Sequence, residues 1–399
     1  MNPASVLVTL SGRDRPGVTA ALFASLAAHD VEVADVEQVV IRERITTGVL
    51  LHVHGDPASL RRSIKLTADA LGMEHEVMLM DTDSEPAGPS EDRTQLHVIV
   101  LGRTLRPGAL AEITQRIADI EGNITSISQL ARYPVSSLEL LVTADEARLR
   151  ECLALAANAT GLDIAVERAG LARRAKRLVV LDVDSTLVQG EGIDELAARA
   201  GVAEQVSALT AAAMRGELDY AESLRARVRL LAGLPLTEVA VVRENLRLTP
   251  GARTLVRTLK RLGYVVGVVS GGFTALTERF VAELELDFAA ANELEVVEGR
   301  LTGRVLGEVI DRAGKARALE RFAAEHDVAL AQTVAIGDGA NDIDMLQRAG
   351  LGIAFNAKAA LRETAEVSVN TPFLDAVLYV LGISRREVEA ADAEVPGAS

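Results

Sequence analysis

Two aspartates, Asp182 and Asp184, follow directly on the apolar run Leu178-Val179-Val180-Leu181. Such a run reads as a buried strand of an α/β sheet, and the C-terminal ends of those strands are where open sheets keep their active sites. One carboxylate there can attack phosphorus as a nucleophile while the other protonates the leaving oxygen and later activates water. Three further stations repeat the pattern of chemistry at a strand end. Ser270-Gly271-Gly272 follows the apolar stretch 265–269 and opens a helix, offering a hydroxyl and backbone amides to a phosphate oxygen. Lys315, after Gly314, starts another helix and brings a charge that can neutralise a phosphoryl group in its transition state. Gly337-Asp338-Gly339-Ala340-Asn341-Asp342 follows 333–336 and supplies two more carboxylates. Each station is common by itself; all of them in chain order at strand ends specify a single phosphate site. Carboxylates packed beside a phosphate repel it unless a cation intervenes, and a hard oxygen donor set calls for Mg²⁺.

The elements that must position these groups divide the chain in two. From residue 177 onward short apolar strands at 178–181, 265–269, 333–336 and 352–355 alternate with helical stretches, the pattern of an α/β fold with a parallel, doubly wound sheet. Residues 193–247 hold no convincing strand and read as a helical cap over the strand ends, bounded at about 193–248. The stretch 293–305, with Gly299 and Gly303, reads as a hairpin or flap, and 387–399 lacks a core pattern and is expected to fray.

The first two-fifths is an internal repeat. Gly12-Arg13-Asp14-Arg15-Pro16-Gly17 recurs loosely as Gly102-Arg103-Thr104-Leu105-Arg106-Pro107-Gly108, and the offset of 91 that carries Pro16 onto Pro107 also carries Gln38 onto Gln129. Each copy reads strand, helix, strand, strand, helix, strand, the α+β ferredoxin-like order. In the first the elements fall at 6–10, 18–29, 31–41, 48–53, 58–71 and 74–80; in the second at 95–101, 109–120, 124–131, 138–142, 145–160 and 163–167. The expected domains are therefore 1–81, a polar linker over 82–93, 94–170, and 177–386, with a basic connection at 172–176.

Composition narrows the partners. A net charge of −15 without clustered Lys and Arg argues against nucleic acid. No apolar run has the length of a membrane span and the N-terminus lacks a signal-peptide pattern, so a soluble, cytoplasmic protein is expected. Cys152 is the sole cysteine, which excludes an internal disulfide; it reads as a small buried apolar residue of a helix. His52 and His54 alternate along a strand without a third ligand and read as surface residues.

The motif Asp182-Val183-Asp184-Ser185-Thr186, together with the later stations, resembles the haloacid dehalogenase-like phosphatases. The resemblance implies an aspartyl-phosphate on Asp182, acid/base work by Asp184 and charge neutralisation by Lys315. It also implies metal contacts from the Asp182 side chain, the Asp184 backbone carbonyl and Asp338, with Asp342 holding a coordinated water. Asp184 separates the chain from the phosphoaspartate transport ATPases, which carry another residue there, and a dehalogenase would not need it. Residues 182–342 look like the phosphoserine phosphatases within that superfamily. That implies O-phosphoserine as substrate, with Glu191 on its ammonium, Arg227 on its carboxylate, Met214 and Tyr220 as an apolar lid, and Ser270, Gly271, Lys315 and Asn341 on the phosphate. A zwitterion needs an anion facing a guanidinium, which suits the first pair. The family usually has Phe where this chain has Tyr220.

The two repeats resemble ACT domains, amino-acid-sensing modules. They imply L-serine as a feedback effector near Asp14, Gly17, Gly108 and Asn123, although Asp14 has no acidic counterpart in the second copy. Effector binding and simple dimerisation both remain open for them, and a homodimer is expected. Transfer of the phosphoryl group to another alcohol, or a receiver-like signalling role, are the competing readings; Asp184 and the long cap argue against the second.

Overall fold

The computed structural model describes residues 4–80, 93–214, 217–358, 361, 365 and 367–394. These residues fall into two compact units that divide between Glu91 and Asp92. Of the expected linker, 82–92 lies outside the described residues.

The first unit runs β1 (Ala4–Arg13), helix Val18–Leu26, β2 (Val31–Ile41), β3 (Arg44–Val53), helix Pro57–Leu71 and β4 (Glu74–Met80). Its antiparallel sheet has the order β2-β3-β1-β4, as the ferredoxin-like arrangement requires. Burial alternates along β1, which places Val6, Val8 and Leu10 against Leu22, Leu60 and Ile64 beneath the two helices. The second helix starts at Pro57, is capped by the Asp56 carboxylate accepting from the Ala58 and Ser59 amides, and stops at Gly72 with φ 61°.

The second unit opens with the other copy: β5 (Thr94–Gly102), helix Pro107–Asp119, β6 (Asn123–Ala131), β7 (Ser136–Ala144), helix Glu146–Thr160 and β8 (Asp163–Arg168). Its order, β6-β7-β5-β8, repeats the first. Here β5 is buried on both faces. Val98 and Val100 face the helices, whereas Ile99 and Leu101, with Leu130, Ala131 and Ala165, join the core of the sheet that follows. Double burial explains the unbroken apolar run Val98-Ile99-Val100-Leu101. Cys152 is half-buried in its helix, its thiol raised in pKa by burial and donating to the Leu149 carbonyl at 3.3 Å.

The basic connection is more than a spacer. It forms a short helix, Leu171–Arg174, whose Arg173 side chain is buried between Glu139 at 2.6 Å and Glu167 at 3.6 Å, and also donates to the Val380 carbonyl.

Seven strands build the large sheet: β9 (Leu178–Leu181), β10 (Val265–Phe273), β11 (Phe288–Val297), β12 (Arg300–Leu306), β13 (Thr333–Gly337), β14 (Leu351–Phe355) and β15 (Val367–Val369). The order is β12-β11-β10-β9-β13-β14-β15, parallel except for the β11–β12 hairpin. Glu298 and Gly299, both at positive φ (51° and 74°), make its two-residue turn, the geometry that matches strand twist in tight hairpins. β9 is central, flanked by β10 and β13, so the ends of these three strands converge. Between the bridged residues Val188 and Leu248 the cap contributes helices Gly192–Ala200, Ala203–Met214, Tyr220–Leu230 and Leu236–Asn245.

The expected fraying from residue 387 is corrected for the residues described. Arg385–Ala393 is a helix with a Ser384/Glu387 capping box, Val388 buried, and Asp392 held at 2.5 Å by both Arg257 and Arg261. One apolar anchor and two distant arginines leave no periodic pattern to read. Among the described residues no helix is long and apolar enough to cross a membrane.

Candidate active site

Asp182 extends β9 by one residue, its amide donating to the Ile336 carbonyl of β13 at 2.8 Å. The chain then turns sharply. Ser185 sits at φ 58°, its amide donates to the Gly190 carbonyl at 2.9 Å, and Val188 closes back on Val183 at 2.9 Å. This loop puts Asp184 and Glu191 on one side: the Gly192 amide donates to Asp184 Oδ1 at 2.7 Å and the Ser185 hydroxyl to Glu191 Oε1 at 3.2 Å.

Behind Asp182 lies a buried ion cluster. Lys315 Nζ is 2.7 Å from Asp182 Oδ1 and 2.7 Å from Asp342 Oδ1, with all three side chains essentially inaccessible to solvent. The second oxygen of Asp342 accepts from the Gly339 amide at 3.0 Å. Burial opposes the lysine's charge, but the two carboxylates outweigh it and hold the ammonium above its ordinary pKa. Asp182 is pushed well above the carboxylate range by burial and by Asp342, against the pull of Lys315. Burial and Glu191 raise Asp184 to about 6. Asp338 also rises to about 6, chiefly through burial, with Lys358 working in the other direction. Carboxyl oxygens of Asp182, Asp338 and Asp342 lie within 4.8 Å of one another. A buried, all-oxygen cluster in which negative charge exceeds positive fits a hard divalent cation.

The irregular end of β10, a loop-like turn where its pairing with β11 shifts register between Val269 and Phe273, is held from below. Ser270 is fully buried, its hydroxyl accepting from the Gly272 amide at 2.8 Å and reaching Asp184 Oδ2 at 3.5 Å. Gly271 and Gly272 leave room for functional side chains: a Cβ would stand 2.1 Å from the Tyr220 hydroxyl at the first and 2.6 Å from Asp184 Oδ2 at the second, so either side chain would have to move. Asn292, which no motif marks, sits under the loop. Its amide donates to the Gly271 carbonyl at 2.9 Å and its oxygen accepts from the Ile310 amide at 2.8 Å.

The cap and the strand ends line a cavity of about 520 Å³, where Asp182, Asp184, Asp338 and Glu191 meet Tyr220 and Arg227 of the cap helix Tyr220–Leu230. The Tyr220 hydroxyl, raised to about 12 by burial, donates to the Gly271 carbonyl at 3.3 Å and so ties cap to loop. Arg227 hydrogen-bonds only along its own helix among the partners described, Nε to the Ser223 carbonyl at 3.4 Å, leaving its guanidinium directed to the cavity it lines. Asn341 and the backbone of Gly271 line the same space, whereas Ser270, Lys315 and Asp342 stand behind the lining. Met214 ends the second cap helix; its side chain lies outside what is described. Lys358, unmarked by sequence, reaches into the cavity beside Glu191 and Asp338.

The expected effector residues divide between the two units. Asp14 is exposed, and Gly17 (φ 97°) precedes the helix Val18–Leu26 in the first. Gly108 lies in the first turn of the helix Pro107–Asp119 and Asn123 opens β6 in the second, both exposed.

Comparison with known proteins places these observations in a family context. Residues 179–347 match the haloacid dehalogenase-like hydrolase family, and residues 4–78 and 95–167 each match an ACT domain family. A phosphoserine phosphatase of Streptomyces coelicolor is 56% identical across 97% of this chain and 94% of its own length. One from Mycobacterium tuberculosis is 52% identical across 98% and 96%. Among solved structures, a probable phosphoserine phosphatase from Vibrio cholerae superposes with a TM-score of 0.58 at 35% identity, covering 75% of this chain and 89% of that one.

Proposed function

Because the chain belongs to the phosphoserine phosphatase family of haloacid dehalogenase-like hydrolases, with two ACT domains, we propose that its cavity hydrolyses O-phospho-L-serine to L-serine and phosphate. The observation that carries this reading is that Asp182 and Asp184 line the same cavity as Glu191 and Arg227. Glu191 and Arg227 form the opposed anion and cation that a zwitterionic amino acid needs, the guanidinium suiting a carboxylate. Met214 belongs to the same proposed lid as Tyr220.

In the reaction Asp182 attacks phosphorus and the seryl oxygen leaves with the proton of Asp184, whose raised pKa keeps an acid form available near neutrality. The serine departs, and Asp184, now a base, takes a proton from water as that water attacks the aspartyl-phosphate and frees Asp182. Gly271 and Asn341 hold phosphoryl oxygens, the Ser270 hydroxyl fixes the Gly272 amide beneath them, and Lys315 stabilises charge from behind Asp182. A Mg²⁺ ion would be held by Asp182, the Asp184 carbonyl and Asp338, with Asp342 supporting it through water; it would supply Lewis-acid neutralisation of the phosphoryl charge and favour the ionised form of Asp182.

The ACT pair is read as a regulatory module for an amino acid, L-serine in the first instance, and as the site of homodimerisation; the repeated fold and the exposed loops at Gly17 and Gly108 support it. The test is phosphate release from O-phospho-L-serine beside a panel of phosphomonoesters, with Mg²⁺ or chelator, with and without L-serine. Metal-dependent preference for phosphoserine is expected. Turnover of other esters without phosphoserine would keep the aspartyl-phosphate chemistry and remove the roles of Glu191 and Arg227.

A further inference from the structure

Lys358 lies 43 positions beyond Lys315 and outside every motif that marked the site. Its Nζ stands 3.4 Å from Glu191 Oε1 and 3.4 Å from Asp338 Oδ2, so one ammonium spans the two carboxylates. The residue is pinned by its own backbone, since its amide donates to the Asp338 carbonyl at 2.9 Å, yet its side chain is 55% exposed. Arg227 and Lys358 are the cationic side chains among the described residues that line the cavity, against Asp182, Asp184, Glu191, Asp194 and Asp338. Lys358 therefore occupies, on Glu191, the place a substrate ammonium requires.

We propose that Lys358 is a specificity-determining residue, a resident ammonium that covers Glu191 until a substrate's own ammonium displaces it. The inference rests on the reading of Glu191 as the ammonium contact. A substrate that carries an ammonium exchanges one ion pair for another, and Lys358 keeps its pair with Asp338. A substrate without one leaves Lys358 where it is, and the Glu191 charge is never uncovered. Lys358 thus weakens the selection that Glu191 alone would impose. Removing its charge has two effects of the same sign: phosphoserine meets an uncontested carboxylate, and a molecule lacking the ammonium meets an uncompensated negative charge. Loss of a cation near the phosphoryl group penalises both substrates and cancels in their ratio.

The experiment compares kcat/KM for O-phospho-L-serine with that for 3-phosphonooxypropanoate, the same molecule with hydrogen in place of the ammonium, or its Ki where turnover is too slow to follow. For a half-exposed pair at this distance, Lys358→Met and Lys358→Gln are expected to raise the ratio by about two- to fivefold. The change should appear in KM, with Lys358→Arg restoring the wild-type ratio and with no effect of Lys358→Met in a Glu191→Gln background. An unchanged or lowered ratio in Lys358→Met, or the same rise without Glu191, overturns the proposal. A wild-type enzyme that shows no preference for phosphoserine overturns the substrate reading and this inference together, whereas a preference that ignores Lys358 overturns this inference alone.

Discussion

Lys315 Nζ lies 2.7 Å from Asp182 Oδ1, and neither side chain has meaningful contact with solvent. The lysine is held from the other side by Asp342 at the same distance, so a single ammonium fixes the rotamers of two carboxylates. Lys315→Met removes the charge at nearly constant volume and leaves both carboxylates buried without their partner. Such losses cost about 3–5 kcal/mol. We expect phosphate release to fall by at least about two orders of magnitude, as it does when a transition-state charge loses its stabiliser. Urea unfolding should show lowered stability in the chelated protein. Normal turnover in this variant would remove Lys315 from the site.

The two aspartates of the β9 loop are expected to fail differently. Asp182→Asn keeps the shape of the nucleophile and removes its negative charge, so no acid-stable or trappable phosphoenzyme should form with any substrate. Asp184→Asn keeps the nucleophile but takes away the proton delivered to the leaving oxygen. Its loss should be largest for alkyl phosphates such as phosphoserine, by about 10²–10⁴-fold, and smallest for p-nitrophenyl phosphate, whose leaving group needs no acid. Equal losses for both substrates would contradict acid catalysis by Asp184.

Asn292 offers a test of the floor of the site. Its side chain satisfies the Gly271 carbonyl and the Ile310 amide together, from a position 2% exposed. Asn292→Ala strands the Ile310 amide, at a cost of about 1–3 kcal/mol, and leaves the Gly271 carbonyl with only the Tyr220 hydroxyl at 3.3 Å. Lower stability is expected together with a raised KM for phosphoserine, because the Gly271 loop faces the cavity. A variant with normal stability and KM would show that the loop holds its shape without this support.

Much of this arrangement was legible in the chain because its signals are local. Alternation of burial marks β1, a continuous apolar run marks β9, the stations at 182 and 338 directly follow strand ends, and those at 270 and 315 fall in the last residues of β10 and the first turn of the helix Arg312–Glu325. What was not legible depends on partners far apart in sequence. Asn292 acts on Gly271 from 21 residues away, and Lys358 meets Glu191 across 167. The helix Arg385–Ala393 is fastened by Arg257 and Arg261, more than 130 residues earlier, and Arg173 is drawn from an apparent linker into a buried pair with Glu139. Charge–charge contacts of this kind carry no period, so only the folded chain reveals them.

The acidic cluster itself gives a prediction about metal and pH. Without a cation Asp338 has its pKa raised from the ordinary carboxylate value to about 6. Between the two values the folded chain holds a proton that the unfolded chain has released, so stability declines as pH rises through that window and stays lower above it. Asp182, raised by burial and by Asp342, adds in the same direction. A bound divalent ion requires these carboxylates deprotonated and compensates their charge. Mg²⁺ should therefore raise the melting temperature of the chelator-treated protein more at pH 7.5 than at pH 5, where it must displace protons first. Asp338→Asn should abolish most of the increment at both pH values. An increment independent of pH, or one that survives in Asp338→Asn, would place the ion elsewhere than at Asp182, Asp338 and Asp342.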